Sequence, residues 1–217
     1  MGERAPVQYI AVEGVIGVGK STLASLLAQR FNARLIKEEF EENPFLSSFY
    51  KNRRSYAFQT QLFFLLSRHR QLSSIIDQTN LFYQMTVSDY SFEKDRIFAS
   101  ATLDEAEKKL YDNLSNLLVK DVAKPDFIVY LQADVDVLMQ RIKKRGREME
   151  SDIEYGYLSL LIDLYNEHFF NYKECPVLIV NTNEINIVKR PEDFEELFER
   201  IRSFPPGTTF YNPSGRR

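Results

Sequence analysis

Apolar positions along the chain fall into short unbroken runs and into longer stretches that repeat every three or four residues. Tyr9-Ile10-Ala11-Val12 is an unbroken run of strand length, and it predicts a buried strand over 8–13. A helix-forming run covers 20–31, and a brief pair, Leu35-Ile36, ends in Glu38-Glu39 as a second short strand. After the Asn43-Pro44 turn, Phe58, Leu62, Leu65 and Leu72 share a helical period and predict a helix over 55–77. Further on, the pattern predicts a strand at 82–88 and a helix at 103–122, opened by Thr102 or Asp104 and closed near Lys124-Pro125. An apolar strand at 127–131 precedes a helix at 134–144 and an aromatic-rich helix at 155–172. The last strand is expected at 177–180, the last helix at 191–204, and 205–217 reads as a loose C-terminal tail. Regular alternation predicts an α/β fold in which residues 1–204 form one domain. Its parallel sheet, of about five strands, is covered by helices on both faces in a three-layer sandwich. Ligands in such sheets lie at the carboxyl ends of the strands.

Composition narrows the partners. With 217 residues, 44% hydrophobic and including 17 Phe and 12 Tyr, the chain has enough apolar mass for one sizeable core. A net charge of -3 provides no field for a polyanion, so no nucleic acid is expected as main partner. The lone cysteine, Cys175, excludes an internal disulfide framework and favours a reducing, cytoplasmic setting. Residues 1–8 lack the apolar core of a signal peptide, and no stretch approaches the ~20 apolar residues of a membrane span. His69 and His168 stand alone and read as ordinary histidines rather than metal ligands.

Gly14-Val15-Ile16-Gly17-Val18-Gly19-Lys20-Ser21, followed by Thr22, changes the picture most. It matches the G-x-x-x-x-G-K-[ST] phosphate-binding loop, with a strand before it and a helix after it. Gly14, Gly17 and Gly19 let successive backbone N–H groups converge on one anion, and the helix start adds its positive end. Lys20 is placed to bridge the outer phosphates and the Ser21 hydroxyl to hold Mg²⁺. A nucleoside triphosphate is the expected ligand. A basic run, Arg141-Ile142-Lys143-Lys144-Arg145-Gly146-Arg147, follows. By spacing it is either a solvated cationic helix end or a mobile lid for phosphate oxygens, and the phosphate-binding loop favours the lid, at about 141–153. Glu38, Glu39, Glu41 and Glu42 crowd one loop. An acid directly after a buried strand is where a base for a hydroxyl acceptor would sit, and Asp89, also after a strand, suits Mg²⁺. Gln61 and Arg68, seven apart, share a helix face, and a glutamine amide suits the edge of a base.

These features together resemble the deoxynucleoside kinase family over about Tyr9 to Val180. The stretches GVIGVGKSTL at 14–23, EEFEENPFLSSFY at 38–50, SDYSFEKDRIFA at 88–99 and RIKKRGREMESDIEYGYL at 141–158 carry the resemblance. It implies a P-loop kinase that moves the γ-phosphate of ATP to the 5′-hydroxyl of a deoxynucleoside. Glu38 matches the base for that hydroxyl, with Glu39 as alternative. Tyr50 and Glu150 match the pair that holds the sugar 3′-hydroxyl. Gln61, rather than Gln59, matches the base-reading glutamine, and Arg68 matches an arginine that pairs with Asp95 beneath the base. Phe98 matches an aromatic packed on the base, and Arg141, Arg145 and Arg147 match lid arginines on the ATP phosphates. The resemblance also implies a homodimer built on the helices within 55–77 and 103–122.

One position departs from the pattern. The family commonly has Asp/Glu-Arg-Ser where this chain reads Asp89-Tyr90-Ser91, and tyrosine carries no positive charge. A lid arginine is the expected substitute. The Asp-Tyr form resembles bacterial deoxyguanosine kinases and tilts the expectation to a purine, although Gln61 with Arg68 and Asp95 also suits adenine or cytosine. Of two rivals, a nucleoside monophosphate kinase needs cations at its acceptor, not the acids at 38–42. A GTPase switch needs N-K-x-D and D-x-x-G motifs, neither of which is present.

Overall fold

The computed structural model describes residues 7–77 and 83–213. Strand β1 (Tyr9–Gly14) is buried along its whole length, as its unbroken apolar run requires of a strand covered on both faces. It passes through the glycine loop into α1 (Lys20–Phe31), which Asn32 ends in the left-handed conformation. β2 (Arg34–Ile36) gives way to a single 3₁₀ turn at Phe40–Glu42, then α2 (Leu46–Lys51) and the long α3 (Arg53–Asp77). β3 (Thr86–Ser88) is shorter than expected, and Phe82 lies outside the described residues. It leads to α4 (Glu93–Thr102) and α5 (Glu105–Leu118). Asp104 caps α5 with a reciprocal Asp104–Glu107 capping box, which settles which residue opens that helix. β4 (Phe127–Gln132), α6 (Val135–Arg145), α7 (Tyr155–Phe170), β5 (Val177–Asn181), α8 (Pro191–Arg202) and β6 (Thr208–Tyr211) complete the chain.

Among the described residues the sheet is six-stranded and wholly parallel, in the order β2-β3-β1-β4-β5-β6. The sequence predicts about five strands, and the sixth falls inside the supposed loose tail. There Val177 to Val180 pair in register with Thr208 to Tyr211. Phe127 and Tyr130, an odd number of residues apart on β4, point to opposite faces. Phe127 meets Phe204, which also meets Phe31 of α1; Phe31 in turn touches Phe198 of α8. Tyr130 stacks on Tyr165 and Phe169 of α7. The three layers are thus α1 with α8, the sheet, and the α7 side. No helix among the described residues is long and apolar enough to cross a membrane.

Strand order reverses at β1: the chain leaves β1 for β2 and β3 on one side and reaches β4 on the other. That crevice, at the carboxyl ends of the strands, holds the glycine loop.

Candidate active site

Two of the loop glycines are fixed by close neighbours as well as by conformation. Gly14 has φ +144, and a Cβ there would stand 2.5 Å from the Leu131 carbonyl oxygen of β4. At Gly17, φ is +88 and a Cβ would lie 2.8 Å from Ile142 of α6. The loop is therefore pressed between β4 and the basic helix, where only glycine fits. Lys20 folds back over it, its Nζ donating to the carbonyls of Gly14 at 2.8 Å and Val15 at 3.2 Å. Burial, then the nearby charge of Lys94, lowers the Lys20 pKa to about 8. An anionic phosphate beside the ammonium would favour its charged form and oppose both effects.

Two cavities flank the loop. The larger, about 470 Å³, is bordered by Gly17, Gly19, Thr22, Arg141, Lys144 and Arg145, with the 185–189 loop opposite. The smaller, about 90 Å³, is bordered by Lys20, Ser21, Glu38, Tyr50, Gln61, Arg68, Asp89, Phe98, Arg145, Arg147 and Glu150. Gly17 and Arg145 border both. The narrow cavity thus gathers residues from five separate chain segments, most of them singled out from sequence.

Glu38 sits two residues past β2. Its Oε1 accepts from Arg68 Nε at 2.8 Å and Nη2 at 2.6 Å, and its Oε2 accepts from Lys94 Nζ at 2.5 Å. Burial alone would raise its pKa, but Lys94 and Arg68 outweigh that and hold the carboxyl well below the ordinary range. Glu39 instead lies at the surface, paired with Arg70 at 2.9 Å, and Gln59 is exposed. The structure thus puts Glu38 and Gln61, not their neighbours, in the cavity. Gln61 is 1% exposed, and its Oε1 is buried without a hydrogen-bond partner among the described residues. An orphaned acceptor in a cavity wall is costly unless a ligand donor meets it.

Arg68 is 2% exposed and held between two acids: Nη1 donates to Asp95 while Nε and Nη2 clamp Glu38. The expected Arg68–Asp95 pair is present, but the same guanidinium also orients Glu38, a role the sequence did not show. Asp95 does not border the cavity; it backs Arg68 from behind. Burial pushes its carboxyl up to about 6 against the pull of Arg68. Tyr50 and Glu150 face the cavity together, and burial with the charges of Tyr157 and Glu150 lifts the Tyr50 phenol well above its usual value.

The basic stretch divides. Arg145 Nε donates to Glu150 Oε2 at 3.1 Å, Arg147 Nη1 donates to Oε1 at 3.3 Å, and the Arg147 guanidinium lies 4.2 Å over the Phe40 ring. Arg141 turns the other way, donating to Val18 O at 3.2 Å, Thr182 Oγ1 at 3.0 Å and Thr182 O at 2.6 Å. It borders only the larger cavity, so the structure does not bring it to the acceptor side with Arg145 and Arg147. Its bonds instead tie the loop to the end of β5.

Ser21 and Asp89 are adjacent, the Ser21 hydroxyl donating to Asp89 Oδ2, while Asp89 Oδ1 accepts the Glu38 backbone N–H at 2.8 Å. A hydroxyl and a carboxylate oxygen side by side at the loop fit Mg²⁺, which takes one or two protein oxygens and completes its shell with water and phosphate. Cavity-wall residues that sequence reasoning missed include Lys94, Phe40, Phe49, Phe64, Leu46 and Thr60. Lys94 lies in the first turn of α4, where the dipole favours acids, but a helix this short is not readable in the sequence, so that signal is hidden.

Comparison with known proteins agrees with this geometry. The family model described as deoxynucleoside kinase matches residues 10–205. The chain is 37% identical over 198 residues to the deoxyguanosine kinase of Bacillus subtilis, covering 89% of this chain and 96% of that protein. It is 30% identical over 214 residues to the deoxyadenosine kinase of Lactobacillus acidophilus, covering 90% of this chain and 97% of that one. A solved structure of deoxyadenosine kinase from M. mycoides with bound dATP superposes with a TM-score of 0.77 at 26% identity, over 90% of this chain and 99% of the other. The phosphate-binding loop between two clefts, the clamped acid after β2 and these matches lead to one assignment: the chain belongs to the deoxynucleoside kinase family.

Proposed function

We propose that the protein transfers the γ-phosphoryl group of ATP to the 5′-hydroxyl of a purine deoxynucleoside, deoxyguanosine or deoxyadenosine, in nucleotide salvage. One observation carries this reading: the two clefts meet at Gly17 and Arg145, with Lys20 and Glu38 both on the wall of the narrower one. ATP in the wide cleft and a nucleoside in the narrow one bring phosphorus and acceptor oxygen together at the loop. The 5′-oxygen forms a bond to γ-phosphorus, the bond to the β–γ bridging oxygen breaks, and its electron pair leaves on ADP. The hydroxyl proton passes to Glu38. Lys20, Arg145 and Arg147 face the charge on the transferring group, and Arg141 keeps the loop in place from the donor side. Mg²⁺ held by Ser21 and Asp89 would neutralise phosphate charge when bound. Tyr50 and Glu150 hold the sugar, Phe98 packs on the base, and Gln61 reads its edge. The lone cysteine and the small-molecule substrates fit a cytoplasmic enzyme.

A panel of the four deoxynucleosides with ATP and Mg²⁺ tests the reading. The expected result is one ADP per monophosphate formed, with the highest kcat/KM for a purine; ATP turnover indifferent to any deoxynucleoside would overturn it. Gln61→Ala is expected to lower kcat/KM for the preferred nucleoside by about 10- to 100-fold, the worth of a buried hydrogen bond lost in a closed pocket. An unchanged preference across the panel would remove Gln61 from base recognition.

The homodimer is supported by apolar side chains left uncovered on two helices, Leu66 on α3 at 53% and Leu110 and Leu117 on α5 at 51% and 67% exposure. Leu110 and Leu117, seven apart, share one face. Sedimentation should show a dimer that Leu117→Asp converts to a folded monomer; a wild-type monomer at micromolar concentration would refute the surface.

A further inference from the structure

Lys94 is 6% exposed, on the wall of the acceptor cavity, in the first turn of α4. Burial and the first-turn position are both unfavourable for a lysine. Lysine is almost never fully buried unless paired, and the helix dipole disfavours a cation in the first turn. Pairing with Glu38 meets the burial but not the first-turn position, and a local rule broken at a site points to what the residue does there.

Its partner defines what that is. Glu38 Oε1 is already filled by two N–H groups of Arg68, and among the described residues Oε2 is held by Lys94 alone. An acceptor hydroxyl must therefore donate to Oε2, beside the Lys94 ammonium. Two groups sharing one carboxylate oxygen at ordinary hydrogen-bond lengths lie about 4 Å apart, and a small shift of a flexible amine brings it to the hydroxyl oxygen. Tyr90, four residues earlier, cannot serve: it is fully buried, carries no positive charge, and its hydroxyl donates to Gln71 of α3 at 2.5 Å. Arg68 is committed to two acids. Lys94 and Lys20 both border the narrow cavity, and the charge of Lys94 helps lower the Lys20 pKa.

We propose that Lys94 is a catalytic residue of the phosphoryl transfer, its ammonium standing at the acceptor oxygen and the incoming phosphoryl group. This rests on the kinase reading above. As the 5′-oxygen bonds to phosphorus and its proton passes to Glu38 Oε2, the Lys94 ammonium keeps its own protons and stabilises the negative charge on the entering and transferring oxygens. The positive charge that Tyr90 cannot give at the acceptor oxygen thus comes from four residues further along the chain, beside that of the lid arginines.

Steady-state kinetics of Lys94→Ala and Lys94→Gln test the assignment. Both should lose about 10²–10³-fold in kcat, the usual worth of one preorganised electrostatic contact, with the deoxynucleoside KM within a few-fold of wild type. Added ethylammonium should restore part of the Lys94→Ala rate in a saturable way, and tetramethylammonium should not. A Lys94→Gln enzyme within threefold of wild-type kcat would overturn the proposal, since a neutral donor can still hold Glu38. So would a folded Lys94→Ala enzyme that shows no amine rescue, or a loss confined to KM. If Lys94→Ala does not fold, the kcat of Lys94→Gln decides the matter. Wild-type protein that phosphorylates no deoxynucleoside refutes the parent reading, whereas active wild type with active Lys94 variants refutes this proposal alone.

Discussion

Glu38→Gln is expected to lower kcat by about 10²–10⁴-fold while the deoxynucleoside KM changes by a few-fold at most. The carboxylate is 14% exposed and receives donors on both oxygens. Glutamine keeps the shape but must turn its NH₂ toward one of two donors, Arg68 or Lys94. The substitution therefore removes the proton acceptor and loosens one of its cations together. Because those cations hold the carboxyl far below its usual pKa, Glu38 is a weak base. It orients the hydroxyl from the start and takes its proton late, once bonding to phosphorus has made that proton acidic. The wild-type pH profile should accordingly show no limb from this group between pH 5 and 8. Rapid-quench measurement of the chemical step against pH checks both points, and a Glu38→Gln enzyme with a normal step would remove the carboxylate from the reaction.

The glycine loop was legible because its chemistry is local. Gly14, Gly17 and Gly19 all take positive φ, a local backbone demand, so spacing alone located them, although the close neighbours of Gly14 and Gly17 lie far along the chain on β4 and α6. The parallel sheet followed from the alternation of apolar runs. β6 did not, because Thr208–Tyr211 lies among Pro205, Pro206, Gly207 and Pro213, and only pairing with β5 makes that segment a strand. Helices α2 and α4 were unread for a related reason: six and ten residues show too few helical repeats to separate from loops.

In the site, positions reached by counting from a resemblance landed in one cavity, but the electrostatics did not follow from counting. Nothing in the spacing of Glu38, Arg68, Lys94 and Asp95 says that one guanidinium spans two acids, or that a lysine completes the set. Those facts depend on how α3 and α4 pack beside β2, a tertiary relation with no local sequence signal. Arg141 and Arg145 show the same limit. Their one-turn spacing on α6 suggests a single lid, yet one is drawn to Thr182 and the other to Glu150.

Arg68→Met should be the most destabilising of the substitutions considered, costing about 3–5 kcal/mol, because it removes one partner of a buried ion pair. Asp95 is fully buried, and Arg68 is its ion-pair partner; Glu38 would keep Lys94. The deficit should depend on pH, and the sign follows from Asp95. In the wild type its carboxyl titrates at about 6 rather than the ordinary 3.8, because burial outweighs Arg68. Between those values the folded state binds the proton more tightly than the unfolded one, so this group's contribution falls as pH rises through that window and is flat above it. Without Arg68 the folded value moves higher, and the fall continues past pH 6. The variant should then lose more stability relative to wild type at pH 8 than at pH 6, and Arg68→Met/Asp95→Asn should recover most of the loss and the pH dependence with it. Urea unfolding at fixed protein concentration and at both pH values measures this. Equal deficits at pH 6 and 8, or a double variant no better than the single one, would mean that Asp95 is not the group left unpaired, and that Arg68 stabilises the fold mainly through Glu38 and the Phe64 ring beneath it.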